Sequence, residues 1–144
     1  MKYFLLMTFL LFNISLCQAE IVYVKIHTGT LWSQPGGQYA FETLKVPRHY
    51  PLSVLESSSG YLKVRDYAGQ TGWVTTDQVG PQKGIVVEIA SVNIRKGPGK
   101  NYPVLFKAYK GVTFRVLEEK EGWLHVRHEN GDKGWVIKSS TWGL

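Results

Sequence analysis

Hydrophobic and polar residues alternate with a period of two in several short segments of the chain. In WLHVR at 123–127, Leu124 and Val126 fall on one face, and the residues between and beside them fall on the other. The segment YLKVR at 61–65 repeats this pattern. Because successive side chains of a strand point to opposite faces, both segments predict half-buried β-strands.

Other segments favour strands through their composition. VTFRVL at 112–117 and IVVEI at 85–89 are rich in β-branched and aromatic residues, which pack well on a sheet. Asn130-Gly131 marks a tight hairpin, since both residues tolerate positive φ, and Ala68-Gly69 holds the equivalent place. No segment shows the 3.6-residue period of a helix, so the predicted fold class is all-β.

The chain contains an internal repeat at an offset of 62 residues. GYLKVR at 60–65 matches GWLHVR at 122–127, and VLE occurs at both 54–56 and 116–118. The following glycine and tryptophan positions also match: Gly69, Gly72 and Trp73 with Gly131, Gly134 and Trp135. We predict two small five-stranded barrels in tandem, at 20–79 and 85–144, joined by a linker at 80–84, since closing a sheet removes its exposed edges.

Composition agrees with a small folded protein. The 144 residues include 17 Lys and Arg against 11 Asp and Glu, a net charge of +6, and 44% are hydrophobic. This balance excludes a disordered chain and a polytopic membrane protein. Because a unit of about 60 residues buries only about 60% of its unfolded surface, we expect the two copies to pack against each other.

Residues 1–19 have the order of a secretory signal peptide. Lys2 precedes an apolar run at 3–16, and Cys17 and Ala19 supply small residues at the cleavage site. We expect cleavage after Ala19, export to the periplasm or the cell exterior, and no transmembrane segment in the mature chain, since a bilayer needs about 20 apolar residues. Lipid attachment at Cys17 is the alternative, which the large Leu16 before it disfavours. Cleavage would remove the one cysteine, and with it disulfides and cysteine-based metal sites.

The second copy resembles the bacterial SH3 (Src-homology-3-like) domain. It contains VNIRKGPGKNYPV at 92–104, GWLHV at 122–126 and GDKGWV at 131–136, which follow the pattern of that family. The first copy keeps the C-terminal half of the pattern but has LWS at 31–33 where the second has NIR at 93–95. The resemblance implies small five-stranded barrels of exported bacterial proteins, which often bind cell-wall peptides or partner proteins.

The aromatic residues at matched positions are candidate ligand-binding residues. Trp123 points away from the Leu124 face, and the resemblance places it near the groove between two long loops, so it is a candidate anchor. Trp73 and Trp135 lie in repeated GWV strands, where closing the barrel is the alternative to binding. We place the ligand-binding site of the second copy at Arg95, Tyr102, Tyr109, Trp123 and Trp135, and a second, altered site at Trp32, Tyr39, Tyr61 and Trp73.

Charge indicates a ligand class for this site. Between Ile89 and Leu117 the chain has six Lys or Arg residues and no acid. A solvated loop face explains this segment as well as a cationic groove for carboxylates does. Arg95 is the sharpest candidate, because its planar guanidinium can bind a carboxylate bidentately, although it could equally brace the loop through backbone carbonyls. The first copy has Ser33 there, so we expect the copies to bind differently.

Catalytic sequence motifs do not occur. The chain has no HExxH, no GxSxG and no phosphate-binding Gly-rich pattern. His125 and His128 are three apart on a predicted strand, so they face opposite sides and cannot share a metal. Asp66 and Asp132 are explained by hairpin turns. We therefore expect no catalytic residue, no metal, no cofactor and a chain that is not an enzyme.

These observations predict an exported binding module at the cell envelope. The first hypothesis is recognition of peptidoglycan, at its stem peptide or a related anionic wall component. The alternative is a periplasmic or surface adaptor that binds an envelope enzyme or secretion component without touching the wall. Export disfavours nucleic acid as a ligand. We expect a monomer.

Overall fold

A computed structural model describes residues 19–144. The described chain is β-structure apart from turns, loops and two single-turn 3-10 helices, Thr76–Gln78 and Lys138–Ser140. The predicted all-β fold is confirmed. The signal peptide predicted at 1–19 lies outside the described residues, apart from Ala19. Within the described part of the chain, no helix is long and apolar enough to cross a membrane.

The first copy folds into one antiparallel sheet of seven strands. These are β1 (Ile21–Val24), β2 (Thr28–Trp32), β3 (Glu42–Pro47), β4 (Pro51–Ser58), β5 (Tyr61–Arg65), β6 (Thr71–Thr75) and β7 (Val79–Gly80). Their order in the sheet is β3-β2-β6-β5-β4-β1-β7. The count exceeds the five strands predicted because short segments pair as well: the two residues of β7 follow a 3-10 turn and pair with β1.

The second copy repeats this topology. Its strands are β8 (Gly84–Val87), β9 (Ser91–Arg95), β10 (Val104–Tyr109), β11 (Thr113–Lys120), β12 (Trp123–Arg127), β13 (Lys133–Ile137) and β14 (Thr141–Trp142). Their order is β10-β9-β13-β12-β11-β8-β14, which is the order of the equivalent strands in the first sheet. The repeat seen in the sequence is therefore a repeat of structure.

The two copies differ by one residue in the loop that follows their second strand. From β3 and β10 onward, equivalent strands are 62 residues apart, whereas β1 and β8, and β2 and β9, are 63 apart. The loop between β2 and β3 is thus one residue longer than its counterpart. Trp32, rather than Ser33, therefore occupies the position of Arg95: Trp32 pairs with Trp73, and Arg95 pairs with Trp135. The ungapped alignment of this loop was wrong.

Each sheet curls around its own hydrophobic core. All seven strands of the first sheet contribute a buried residue to one cluster, so the sheet must fold back on itself. In the second sheet, Leu124 and Val126 are fully buried in the corresponding cluster. The period-two pattern correctly predicted the inward face of β12.

Strand β8 lies between the two cores and joins them. All four of its residues are buried. Ile85 and Val87 pack into the second core, whereas Val86 points the other way and packs into the first. A strand buried on both faces needs a continuous apolar run, which explains its sequence. The expected packing of the copies against each other is confirmed.

Polar contacts also cross between the copies. The Tyr23 hydroxyl donates to the Gly143 carbonyl at 2.7 Å. The Thr113 hydroxyl donates to the Arg48 carbonyl, also at 2.7 Å. The second bond fixes the turn after β3 against the start of β11, beside a cleft between the copies that Arg48 lines.

Candidate functional site

The second copy has a surface cavity of about 250 Å³ beside Arg95 and Trp123. Arg95 ends β9, Trp123 begins β12, and Lys100 lies in the loop after β9. Asn93 adds an amide group that can form hydrogen bonds, and Ile137 adds an apolar surface. The cavity therefore combines one large aromatic ring, two cations and two neutral polar side chains, those of Ser91 and Asn93.

Arg95 also braces the loop that borders this cavity. Its Nη1 donates to the Tyr102 backbone carbonyl at 3.0 Å. Since a guanidinium has five N–H groups, this bond leaves others for a ligand. The Tyr102 ring covers the loop and packs closely on Gly97. A Cβ at position 97 would collide with that ring. Tyr102 itself does not line the cavity, and its link to the site is this backbone hydrogen bond with Arg95.

Trp135 and Tyr109 lie apart from this cavity. Trp135 is only 9% exposed and stacks on His125, with ring centroids 4.8 Å apart. Tyr109 is exposed and lines a separate cavity of about 210 Å³ with Phe106 and Lys107. Of the five residues predicted for the second copy, the structure brings Arg95 and Trp123 together, with Tyr102 bonded to Arg95.

The first copy has an aromatic cavity at the equivalent place, of about 260 Å³. Trp32 stands where the second copy has Arg95, and Tyr61 stands where it has Trp123. Among the described residues, no charged side chain lines this cavity. Trp73 is half-buried and pairs with Trp32, whereas Tyr39 is 77% exposed on the loop. The two copies therefore offer cavities of different chemistry.

The acid-free segment between Ile89 and Leu117 does not form a single groove. Arg95 and Lys100 line the cavity beside Trp123. Lys107 lines the cavity beside Tyr109, and Arg115 faces the cleft between the copies. The distribution follows from strand geometry, because residues spread over β9, β10 and β11 reach different faces of a curled sheet.

The cleft between the copies is the feature that sequence reasoning missed. It has a volume of about 190 Å³. Arg48 and His49 come from the first copy, and Arg115, Arg127, His128 and Glu129 come from the second. Arg-His pairs at 48–49 and 127–128 were the available signal, but only the packing of the copies brings them together. Within residues 19–144, no group of three His, Cys, Asp or Glu side chains is placed to hold a metal ion.

The pKa values of two ionisable groups in this cleft are shifted from their usual values. Burial, and after it the charge of Arg48, lowers the pKa of the His49 imidazole. The hydrogen bond with His27, at 3.0 Å from Nδ1 to Oε1, lowers the pKa of the Glu129 carboxyl. Both shifts favour the state with neutral His49 and ionised Glu129 near neutral pH.

Asp66 has the structural role expected of a hairpin turn. Its Oδ1 accepts hydrogen bonds from the backbone N–H groups of Ala68 and Gln70, at 3.0 and 2.8 Å. Its Oδ2 accepts from the buried Tyr50 hydroxyl at 3.0 Å, and burial with this nearby carboxylate raises the pKa of Tyr50. Asp132 also lies in its turn, where its backbone N–H donates to the Asn130 side chain.

Comparison with known proteins identifies relatives of both copies. Residues 83–143 match the family model of the bacterial SH3 domain. The chain is 31% identical over 123 residues to "Putative N-acetylmuramoyl-L-alanine amidase YrvJ" of Bacillus subtilis (strain 168), covering 72% of this chain and 23% of that protein. It is 35% identical over 54 residues to "Probable cell wall amidase LytH" of Staphylococcus epidermidis, covering 37% of this chain and 19% of that protein. Among solved structures, an NlpC/P60 family protein from Bacillus cereus ATCC 10987 is similar at 13% identity and a TM-score of 0.42, covering 85% of this chain and 56% of that one.

These relatives correct the expectation about enzymatic activity. The expectation that the chain is not an enzyme is wrong, because both curated relatives are named as amidases. The chain spans less than a quarter of the length of these relatives. Residues 83–143 match the bacterial SH3 domain, and the family model does not extend over the first copy.

Proposed function

We propose that this chain acts in peptidoglycan hydrolysis at the bacterial cell wall, and that its second copy binds the stem peptide of peptidoglycan. The observation that carries the proposal is the cavity shared by Arg95, Lys100 and Trp123, in the part of the chain that matches the bacterial SH3 domain. The names of the relatives support the wall as the place of action, and thus an exported protein.

The size of the cavity favours a peptide over a glycan strand. Sites for drug-sized ligands usually enclose about 300–1,000 Å³. A cavity of about 250 Å³ therefore accommodates one or two amino-acid residues rather than a chain of sugar rings. A stem peptide offers such short units, with carboxylates that match the two cations.

Each lining residue has a defined role in this proposal. The half-exposed Trp123 ring supplies an apolar wall that loses little conformational entropy on binding. The N–H groups of Arg95 that do not bond Tyr102 pair with a ligand carboxylate. Lys100 adds charge without fixed geometry, because an ammonium group on a flexible stem acts as a point charge.

The first copy acts as a second, altered site in this proposal. Its cavity offers Trp32 and Tyr61 without a cation, so it has no partner for a carboxylate. We expect it to contact an uncharged part of the wall polymer and to contribute less to retention than the second copy.

Co-sedimentation with purified sacculi tests the binding proposal. We expect wild-type protein to be retained, and Arg95→Ala and Trp123→Ala each to weaken retention about tenfold or more, as truncation of a binding anchor does. Arg95→Lys keeps the charge but loses the planar fork, so it should weaken retention less than Arg95→Ala. Folding of each variant is verified by circular dichroism.

Matched variants separate a local site from general charge. Lys107→Ala removes a cation from the same acid-free segment, but this residue lines a different cavity. Trp32→Ala removes the aromatic ring that occupies the position of Arg95 in the first copy. Both variants should stay closer to wild type than Arg95→Ala does. Equal losses in Lys107→Ala and Arg95→Ala would contradict a specific groove.

Hydrolysis of the wall is a second candidate function, favoured by the amidase names of the relatives. It is tested by incubating the protein with sacculi and measuring newly exposed amino groups and released soluble fragments. Release above a heat-inactivated control would assign hydrolysis to this chain. Retention without release would place the hydrolytic step outside it.

A further inference from the structure

The cleft between the copies has properties that wall-peptide binding does not use. Arg48 and His49 approach it from the first copy, Gln82 from the connection, and Arg115, Arg127 and Glu129 from the second. Three arginines thus face one glutamate, and the groove beside Trp123 shares no residue with this set. The cleft is therefore a separate, positively charged site.

Two of these arginines repel each other across the sheet. Arg115 on β11 lies directly opposite Arg127 on β12 in the antiparallel ladder. Like charges in such a pair destabilise a sheet. The first copy avoids the conflict, because its equivalent pair is Ser53 opposite Arg65. This repulsion destabilises the second copy and is absent from the first, which indicates a role for the paired charges of Arg115 and Arg127.

A buried donor in the cleft has no partner among the described residues. Arg48 Nε is buried and makes no hydrogen bond within residues 19–144. The nearest carboxylate oxygen, Glu129 Oε1, lies 3.6 Å away, which is beyond hydrogen-bond distance. Such a buried, unsatisfied group in a folded protein calls for a bound ion or water.

Firm contacts hold these groups in place. The Arg48 carbonyl accepts the hydrogen bond from Thr113, and the Arg48 backbone N–H donates to the His27 carbonyl. The His49 carbonyl lies so close to Gly84 that a Cβ there would collide with it. The backbone of Arg48 is thus fixed at the cleft that Arg115 and Arg127 also line.

We propose that the cleft between the copies binds a phosphate group. Three guanidinium groups offer more N–H donors than the two oxygens of one carboxylate can accept, whereas phosphate has three or more acceptor oxygens. A volume of about 190 Å³ holds one such group with a few waters, not a peptide. The phosphate is either free in solution or an ester of a polymer, and this site is independent of the proposed stem-peptide groove.

Calorimetric titration with inorganic phosphate tests this proposal on the whole chain. We expect saturable binding to wild type that is weakened about tenfold or more in Arg127→Gln and in Arg115→Ser, since each loses charge-assisted hydrogen bonds. Arg115→Ser installs the residue of the first copy, so it should also keep or raise the phosphate-free melting temperature. Arg65→Gln is the matched control, because Arg65 holds the place of Arg127 in the first copy.

Further arms identify the ligand and its source. Shifts of the His49 and His128 ring signals on adding phosphate to wild type give a measurement that needs no variant. Binding of dimethyl phosphate as well would indicate a phosphodiester polymer, and binding of inorganic phosphate alone would indicate free phosphate or a monoester. Three results would overturn the proposal: no phosphate binding to wild type, wild-type affinity in both cleft variants, or acetate binding as tightly at equal ionic strength.

Discussion

A single position, occupied by Arg95 in the second copy and Trp32 in the first, accounts for most of the chemical difference between the two cavities. Arg95 binds its own loop at Tyr102 and still presents N–H groups at the cavity. Trp32 replaces that charge with an aromatic surface. Because the surrounding strands are equivalent, this substitution and the absence of a counterpart to Lys100 from the lining leave the cavity of the first copy without a charged side chain.

Asp66 provides a test of stability at the same scale. Asp66→Ala removes three hydrogen bonds to a buried carboxylate and leaves the Tyr50 hydroxyl without its partner. We expect a loss of about 2–4 kcal/mol in the free energy of unfolding, measured by urea denaturation. Asp132→Ala, in the exposed turn of the second copy, is the control and should change stability by about 0.5 kcal/mol or less. Equal effects of the two substitutions would contradict the role assigned to Asp66.

Strand β8 is the element that makes two small barrels into one folded unit. Its residues alternate between two cores, so the first core includes Val86 from the second copy, whereas the second core consists of residues of its own copy. A unit of about 60 residues is marginally stable by itself, and the sharing of a strand compensates for this.

Val86→Ala tests whether β8 couples the copies. Val86 belongs to the second sheet but is fully buried in the core of the first. We expect a loss of about 1–3 kcal/mol, with a single unfolding transition followed by tryptophan fluorescence, since both copies contain tryptophans. The exposed Val104→Ala should change stability by about 0.5 kcal/mol or less. Two separate transitions in wild type would show that the copies unfold independently.

Elements with local sequence signals were predictable, and features that depend on distant packing were not. Alternation placed Leu124 and Val126 inward, and Asn130-Gly131 marked a turn, because both signals lie within a few residues. The extra residue before β3 escaped an ungapped comparison, since a glycine-rich loop absorbs it without changing the strands.

The candidate sites follow the same division. Arg95 and Trp123 were predicted together, since equivalent strands and a family pattern marked them. Trp135 was also named for binding, but its exposure depends on stacking against His125 across the ladder, which no local pattern reports. The cleft between the copies was not predictable, because Arg48 and Glu129 come together only when the two barrels pack against each other.

At the scale of the whole molecule, the contact between the copies makes stability depend on pH. The pKa of His49 is lowered below its usual 6.5, so the unfolded chain takes up a proton before the folded one does. This contribution to stability is present above about pH 6.5 and is lost as the pH falls toward the folded pKa. The Glu129 pKa, lowered below 4.5, adds a loss at still lower pH, and its exposure to solvent keeps that contribution small.

His49→Asn tests this pH dependence. Residue 49 has a φ of 72°, and asparagine tolerates that left-handed conformation better than most residues. We expect the melting temperature of wild type to fall between about pH 7 and about pH 5 more steeply than that of His49→Asn. Arg48, Arg115, His128 and Glu129 still face the position in the variant. Parallel pH profiles would show that His49 does not cause the loss.

The central claim, that the second copy holds a peptidoglycan stem peptide, is tested most directly by a nuclear magnetic resonance titration with a soluble stem-peptide fragment. The chain has five tryptophans, and each indole N–H gives a signal of its own. We predict that the Trp123 signal shifts saturably, that the Trp32 and Trp73 signals stay in place, and that Arg95→Ala abolishes the shift. Shifts confined to Trp32 and Trp73, or no shift at any tryptophan, would contradict the claim.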